Sequence, residues 1–544
     1  MLREPPLVEM ETDVLVLGGG LPGVCAAIQA ANDGAEVVLV ERGMTLGGNC
    51  GPEVGIHASD GHRFHPYAAS TGVVGKLIED AAFVGAKTRS ANGHYNISQQ
   101  WDTVLAQALK DAGVKLLRRH YAHTPDVADN KITAVICEDT ATCRRVRVNV
   151  RAVVVEASGD GNVAALAGAE FRTGREARAE FGERSAPEVA DDVTLGASLV
   201  SLIRRTDREV PFIKPPGTPP FHPGYAGMFQ WVPRDKDSLI FFFPTETGGE
   251  DGVAGIIENE HELYDRLLGH LYSAWNRLKN EINVPEWRNW ELAWVSPRVA
   301  KRESRRFMGD HILTQTDVES GRLFDDAIAM GGFAVDVHDP RPENREYVKV
   351  VFYGIPPQYG IPYRSIYSRN IANLLFASRL LSVTHMAHGT TRLQRTLACV
   401  GQAAGAAAAM CKKRGLAPRE IFTKGLVPEL QQILLRDDAT IPGVAKNDPA
   451  DRAPLAQISA TSETPYGVSG EPSCWLELDV PRGADLWDFT DRLDRVSFLL
   501  RNEGPEKTLR AEAFRFKPDV KDEFLHRLAL HPLILKDAIA EQPD

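Results

Sequence analysis

The sequence predicts an α/β fold: a dinucleotide-binding domain of the Rossmann type, interrupted by an inserted α+β domain and followed by a small β-rich domain. Three observations carry this. Residues 13–42 read as strand, glycine-rich turn, helix and strand in one register, the composition changes between about 176 and 355, and the tail from about 445 turns to short alternating strands.

In the first unit, Val14 to Leu17 form an apolar run suited to a buried parallel strand, and Gly18, Gly20 and Gly23 then fall into the G-x-G-x-x-G spacing. The first glycine permits the tight turn, the second lets a pyrophosphate approach bare backbone, and the third lets helix and strand pack closely. Pro22 suits the first helical turn, where its missing N–H costs nothing, and Gly34 stops the helix. Val37 to Val40 make a second strand, and Glu41 ends it eighteen residues beyond Gly23. A carboxylate there accepts both hydroxyls of an adenosine ribose and repels a 2′-phosphate.

The chain has 544 residues, too many for one ordinary core, with 43% hydrophobic and 25% charged residues as in soluble globular proteins. A net charge of −11 without a basic run argues against nucleic acid as a partner. There is no apolar run long enough to span a membrane, and the first strand starts too near Met1 to leave room for a signal peptide, so a cytoplasmic protein with no membrane association is expected. The seven cysteines are dispersed with no C-x-x-C pair, which reads as reduced thiols and gives neither zinc nor iron–sulfur spacing; no metal ligand is assigned.

After Glu41 and Arg42, the loop GMTLGGNCG places Gly47, Gly48 and Asn49 where backbone passes close to a cofactor. Cys50 in this loop invites a disulfide-reductase reading, but Gly55 stands where the second cysteine of the usual pair belongs, so Cys50 is expected to be a packing residue. His57, His62, His65 and His94 follow, some of which could face a substrate. Residues 101–112 read as a helix, 114–117 as a strand, and 132–137 with 146–152 as a two-stranded excursion in which Val146, Val148 and Val150 alternate with polar partners. Residues 153–155 return as a buried strand ending in the turn Ala157-Ser158-Gly159-Asp160-Gly161, a second site where backbone amides and a carboxylate can lie along a cofactor's sugar chain.

The inserted segment carries proline clusters, aromatics and a helix from about Glu260 to Asn280 with Leu263, Leu267, Leu271 and Trp275 at four-residue spacing. Residues 301–317 concentrate Arg302, Arg305 and Arg306 with Glu303 and Asp310, either a clamp for an anionic or polyhydroxylated ligand or an ion-pair network. Asp336 and His338 form another polar pair. Residues 373–379 then read as a strand ending in Ser378-Arg379, and a long Ala/Gly helix follows whose small side chains fit it to lie against a sheet or a flavin ring. With its N-terminal end at the ring's pyrimidine edge, its dipole would stabilise negative charge there.

The order GGGLPG, VER, LGGN, ASGDG, RESRRFMGDHILTQTD, YGIPYRSIYSRN and VTHMAHGTTRLQRT, over about residues 12–440, resembles the FAD-dependent oxidoreductase family that includes the flavin subunit of heterodisulfide reductases and many uncharacterised bacterial flavoproteins. The composition changes and strand patterns divide the chain into a Rossmann-like FAD-binding domain in two parts, 1–175 and 356–440, an inserted substrate (cap) domain over 176–355, and a C-terminal β-rich domain over 445–535. The resemblance implies FAD at Gly18, Gly20, Gly23, Glu41, Gly48 and Asp160, with Arg42, Asn49, Gly159 and Arg379 beside them. Two departures stand out: the cysteine cluster of the heterodisulfide reductases is missing, and Ser378-Arg379 occupies the place of a common Gly-Asp pair.

A flavin without a redox cysteine pair is suited to accept a hydride at N5 from a hydroxylated small molecule, a sugar derivative among the candidates. The hydroxyl proton then needs a base, and neutral histidine fits that work near neutral pH. His385, with His388 as alternate, lies before the terminal helix, and Arg305 and Arg392 are candidates to orient the substrate or stabilise an oxyanion. Rival readings are a flavin electron-transfer subunit with a protein acceptor, a non-catalytic nucleotide-binding protein, and an NAD enzyme. The sequence leaves open whether the chain forms a homo-oligomer.

Overall fold

The structure, a computed structural model, describes residues 7–63, 65, 68–83, 89–90, 93–94, 99–221, 238–243, 256–282, 285–338, 350–352, 354–451, 455, 512–515 and 531–534. The opening unit consists of β1 (Leu7–Leu17), α1 (Leu21–Asn32) and β2 (Val37–Glu41). β1 and β2 pair in parallel, Val14 to Leu17 against Val37 to Val40. Val14 and Val16 belong to the core under the helices, Leu15 and Leu17 to the core on the opposite face. With both faces covered, the strand needs no polar alternation, which is why it reads as an uninterrupted apolar run.

Two helices follow, α2 (Val73–Phe83) and α3 (Gln99–Asp111), and then β3 (Lys115–Arg118), which extends the sheet beside β2. The excursion expected as two strands is three: β4 (His120–Ala128), β5 (Lys131–Asp139) and β6 (Arg145–Glu156). The segments read from sequence as 146–152 and 153–155 are one continuous strand, β6, parallel to β1 along its length. It changes its second neighbour midway: residues 145–149 pair antiparallel with β5, whereas Val154 to Glu156 pair in parallel with the late strand Leu374–Phe376. Residues 147, 149 and 151 are partly or fully exposed on one side, while Val153, Val154 and Val155 are buried on both, so the sequence pattern changes where the covering does.

The inserted part has its own sheet. β7 (Ala197–Arg205) pairs antiparallel with β8 (Ser238–Phe243) and β9 (Trp290–Val295), and its first residues pair with β10 (Ala300–Lys301). Helix α4 (Glu260–Asn276) lays Leu263, Leu267 and Leu271, one face of the four-residue spacing, on Ala197, Leu199 and Val299.

The chain then returns through Leu374–Phe376 to α5 (His385–Thr391) and α6 (Gln394–Arg414). The small residues of α6 serve a helix-on-helix contact with α1. A Cβ on Gly401 would stand 2.1 Å from the Pro22 carbonyl oxygen, and one on Gly405 would stand 2.2 Å from that of Ala26. Among the described residues no helix is long and apolar enough to cross a membrane. The tail domain expected over 445–535 lies outside the described residues, apart from 445–451, 455 and an antiparallel pair, Glu512–Arg515 with His531–Ile534.

Candidate functional site

A cleft of about 380 Å³ runs along the C-terminal ends of β1, β2 and β6 and beneath the inserted sheet. This is where α/β sheets place ligands, because the strand ends deliver loops and helix N-termini to one edge. Gly18 and Gly20 line it. Gly18 has φ +100°, and a Cβ there would meet the Ala157 carbonyl oxygen at 2.6 Å, so the first turn rests directly on the ASGDG turn. Gly23 lies underneath, where a Cβ would come within 2.0 Å of the Gly18 carbonyl oxygen. Gly20 has no neighbour closer than 3.8 Å to that position and opens towards the cleft. The 43–51 loop lies on this turn, with Gly47 N–H donating to the Gly19 carbonyl at 2.8 Å.

Glu41 is buried and fixed by backbone: Gly19 N–H donates to Oε2 at 2.7 Å and Gly43 N–H to Oε1 at 2.6 Å. A carboxylate has roughly four acceptor positions, so sites remain for sugar hydroxyls. Glu156, at the end of β6, accepts from Ser158 N–H and Ala164 N–H, and its burial raises its pKa. Asp160 lies between two cations, Lys301 Nζ at 2.6 Å from Oδ2 and Arg379 NH2 at 2.9 Å from Oδ1. Burial alone would raise the pKa of this carboxyl; Arg379 and Lys301 outweigh it and hold the group well below the usual carboxylate range.

The KRESRR run from Lys301 to Arg306 straps this turn down. Ser304 Oγ donates to the Gly159 carbonyl at 2.8 Å, and Arg305 NH1 donates to the Asp160 carbonyl at 2.9 Å and to Asn162 Oδ1 at 2.8 Å. Lys301 also reaches Glu260 Oε2 at 2.9 Å, the first residue of α4, and its carbonyl accepts from Asn49 Nδ2 at 2.9 Å. Arg42 stands 3.8 Å from the same Glu260.

Nine of the ten residues expected at a cofactor therefore line one cleft: Gly18, Gly20, Glu41, Arg42, Gly48, Asn49, Gly159, Asp160 and Arg379, with Gly23 beneath. Of the four expected at the chemistry, Arg392 lines it, with NH2 donating to Asp336 Oδ2 at 2.7 Å. The other three are held behind its wall. Arg305 grips the ASGDG turn and stacks on Phe171, its guanidinium carbon 5.2 Å from the ring centre. His385 is 2% exposed, its Nδ1 2.9 Å from Glu303 Oε2. Arg306 bridges Glu303 at 2.8 Å and Glu176 at 2.6 Å. Burial opposes ionisation of Glu303, but His385 and Arg306 hold its pKa down to about 2. His388 lies within hydrogen-bond reach of the Arg302 carbonyl, with Nε2 at 3.1 Å, and burial pushes its pKa down to about 3, so the ring is neutral.

Residues 13–434 match the family model described as FAD dependent oxidoreductase. The chain belongs to the FAD-dependent oxidoreductase family. Among curated relatives, an iron-sulfur subunit of the CoB–CoM heterodisulfide reductase of Methanopyrus kandleri is 50% identical over 42 residues, 8% of this chain and 6% of that one. A heterodisulfide reductase subunit-like protein of Archaeoglobus profundus is 48% identical over 46 residues, 8% and 7% of the two chains. The match thus spans less than a tenth of either relative. Similar solved structures include a geranylgeranyl bacteriochlorophyll reductase-like protein of Thermoplasma acidophilum, 12% identical over 79% of this chain and 86% of that one with TM-score 0.35. The myxobacterial FAD-dependent chondrochloren halogenase CndH is 12% identical over 78% and 79% of the two chains with TM-score 0.38.

FAD is the cofactor of this family, and the cleft fits it. Ser378 Oγ and Arg379 Nε, both on cleft-lining residues, are buried without a hydrogen-bond partner among the described residues. Leaving such groups unsatisfied costs about 1–3 kcal/mol each, and the phosphates and hydroxyls of a dinucleotide are suitable partners. Gly18, Gly20 and Gly48 would face its diphosphate, Glu41 its adenosine ribose, and Asp160 with Arg379 the middle of its chain.

Sequence reading missed Lys301, Glu176 and the Glu303–His385 pair. Lys301 and Asp160 are 141 positions apart. The only local signal was the density of charge in KRESRR, which does not say which side of the strap faces the cleft.

Proposed function

We propose that this flavoprotein oxidises a hydroxylated small molecule at the end of the cleft nearest α6. The observation that carries the reading is that Arg392, just before α6, lines the same cleft as the cofactor turns, together with Arg298 and Arg302 from the inserted part. Bound FAD supplies the acceptor for the hydride equivalent lost from a substrate C–H bond. The chain itself must orient the substrate, exclude water and take the hydroxyl proton.

Of the two histidines that line the cleft, His57 and His120, we assign the proton to His57. It lines the cleft, and Ser59, two residues on, accepts from Arg395 N–H at 3.1 Å in the first turn of α6. His385, buried against Glu303, and His388, against the Arg302 carbonyl, act as positioning residues: they set the backbone from which Arg302 projects. Arg392 is oriented by Asp336 and stabilises negative charge on the substrate oxygen.

The test is anaerobic bleaching of the purified holoenzyme against polyols, glycosides and hydroxy acids. A substrate from this panel should bleach the visible band, and His57→Gln should keep its FAD while slowing bleaching by about a hundredfold. A band bleached by none of these compounds, yet by a reduced electron-carrier protein, would replace oxidation of small molecules with electron transfer.

A further inference from the structure

Beyond the Glu41 carboxylate the cleft continues onto β4, and backbone brings the two together. Glu41 and Arg118 are partners across the parallel pair of β2 and β3. Arg119 N–H donates at 3.1 Å to the carbonyl of Gly43, whose own N–H binds Glu41 Oε1 at 2.6 Å. His120, the next residue, opens β4 and lines the cleft.

The floor at this end is apolar. Leu17, Val40, Ala122 and Val163 all line the cleft and belong to one hydrophobic cluster. Side chains alternate along a strand, so His120 stands on the same face of β4 as Ala122, at the edge of that floor. With the diphosphate on the first glycine turn and the ribose on Glu41, the adenine of the cofactor has this floor to lie on.

The His120 ring is oriented by backbone as well. Its Nδ1 lies 2.7 Å from the Arg118 carbonyl oxygen. A carbonyl only accepts, so Nδ1 is the protonated nitrogen, and in the neutral ring Nε2 carries a lone pair and is an acceptor. Nε2, across the ring, has no partner among the described residues. Around the rim of adenine the ring nitrogens accept, and the 6-amino group is the donor.

We infer that His120 is a specificity-determining residue for the cofactor: its Nε2 accepts a hydrogen bond from the 6-amino group of the FAD adenine, so the chain selects an aminated purine at this end of the dinucleotide. The inference concerns the cofactor alone and holds whichever substrate the cleft takes. An acceptor fixed in this way discriminates by what a wrong base fails to offer. A purine without the amine displaces water from Nε2 and returns no hydrogen bond.

The experiment is a competition. The full chain, freed of flavin, is incubated with equal saturating concentrations of FAD and of the analogue in which purine, lacking the 6-amino group, replaces adenine. The retained flavins are released by heat and separated. Wild type should retain FAD over the analogue by about fivefold, the factor for one net hydrogen bond. His120→Phe should retain the two about equally, and His120→Leu takes its place if that variant does not fold. His120→Gln, whose amide oxygen can stand where Nε2 does, should keep most of the preference, a rescue that a merely structural role for the histidine does not produce. Equal retention of the two flavins by wild type overturns the assignment. So does an undiminished preference for FAD in His120→Phe or His120→Leu, which would mean that the amine is bound by another group.

Discussion

Lys301 Nζ lies 2.6 Å from Asp160 Oδ2, and both side chains are at least nine-tenths buried. The lysine belongs to the edge strand of the inserted sheet and the aspartate to the turn after β6, so one ion pair couples the cap to the cofactor cleft. Removing one member of a buried pair leaves the other desolvated and uncompensated, at a cost of about 3–5 kcal/mol; here Arg379 remains and reduces it. Lys301→Met should therefore destabilise the protein by roughly 2–4 kcal/mol. The double variant Asp160→Asn/Lys301→Met should be less destabilised than the sum of the two single ones. Urea unfolding of all four proteins checks this, and strict additivity would mean the two groups are not coupled.

The contact between α6 and α1 has no room for a methyl group at Gly405, where the obstacle is the Ala26 backbone 2.2 Å away. Replacing glycine by alanine in a helix interior ordinarily gains up to about 1 kcal/mol. Gly405→Ala should instead lower stability by about 1–3 kcal/mol, since backbone must move to admit the methyl group. Gly75→Ala in α2, where the nearest atom would be 3.6 Å away, is the matching control and should be neutral or stabilising. Melting temperatures that rise for both variants would contradict the close helix contact.

Burial holds His388 down to about 3, far under its ordinary 6.5. Between those values the unfolded chain takes up a proton that the folded chain refuses. The stability contributed by keeping this ring neutral is complete above the ordinary value and falls by about 1.4 kcal/mol per pH unit as the solution is acidified. Glu303, held down to about 2, adds a second loss in the same direction, beginning below its ordinary 4.5. Wild type should therefore lose about 2 kcal/mol relative to His388→Gln between about pH 7 and about pH 5. Denaturant midpoints at the two pH values measure this, and a constant difference between the proteins would show that the ring is not held neutral.

Cys50 stands in the loop that touches the first glycine turn, but its thiol is fully buried and burial pushes its pKa well up. It should resist alkylation in the native protein, whereas Cys143 is exposed and should be modified first among the described cysteines. Cys50→Ser should leave flavin reduction within about twofold, as expected of a residue with no redox role. Mass mapping after brief iodoacetamide treatment, with bleaching kinetics alongside, would expose a reactive Cys50 at once.

Sequence sufficed where the physics is local. Three glycines at fixed spacing, a proline in the first helical turn and an acid at the next strand end describe backbone geometry within thirty residues, 13–42, and the structure builds them as one unit. The small-residue helix α6 was legible as a packing helix, but its partner was not. Nothing in Gly401 or Gly405 says that the opposing surface is α1 rather than a sheet or a ring.

Folding decided what depends on neighbours far along the chain. β6 reads as two strands because its side chains report how each half is covered: Val153 and Val155 pack into the core under the helices and Val154 into the core on the opposite face, whereas residues 147, 149 and 151 are partly or fully exposed. His385 is close to the cleft in sequence order yet lies in a buried ion cluster, since Glu303 and Glu176 arrive from two other segments to claim it. His57, in an irregular loop with no periodicity to aim it, reaches the cleft wall. Composition and spacing determined that a dinucleotide cradle would form, because its hydrogen bonds and close approaches are set by the residues within it. Which charges face the cradle was settled by tertiary packing, since an ion pair between Asp160 and Lys301, 141 positions apart, depends on how the chain between them folds.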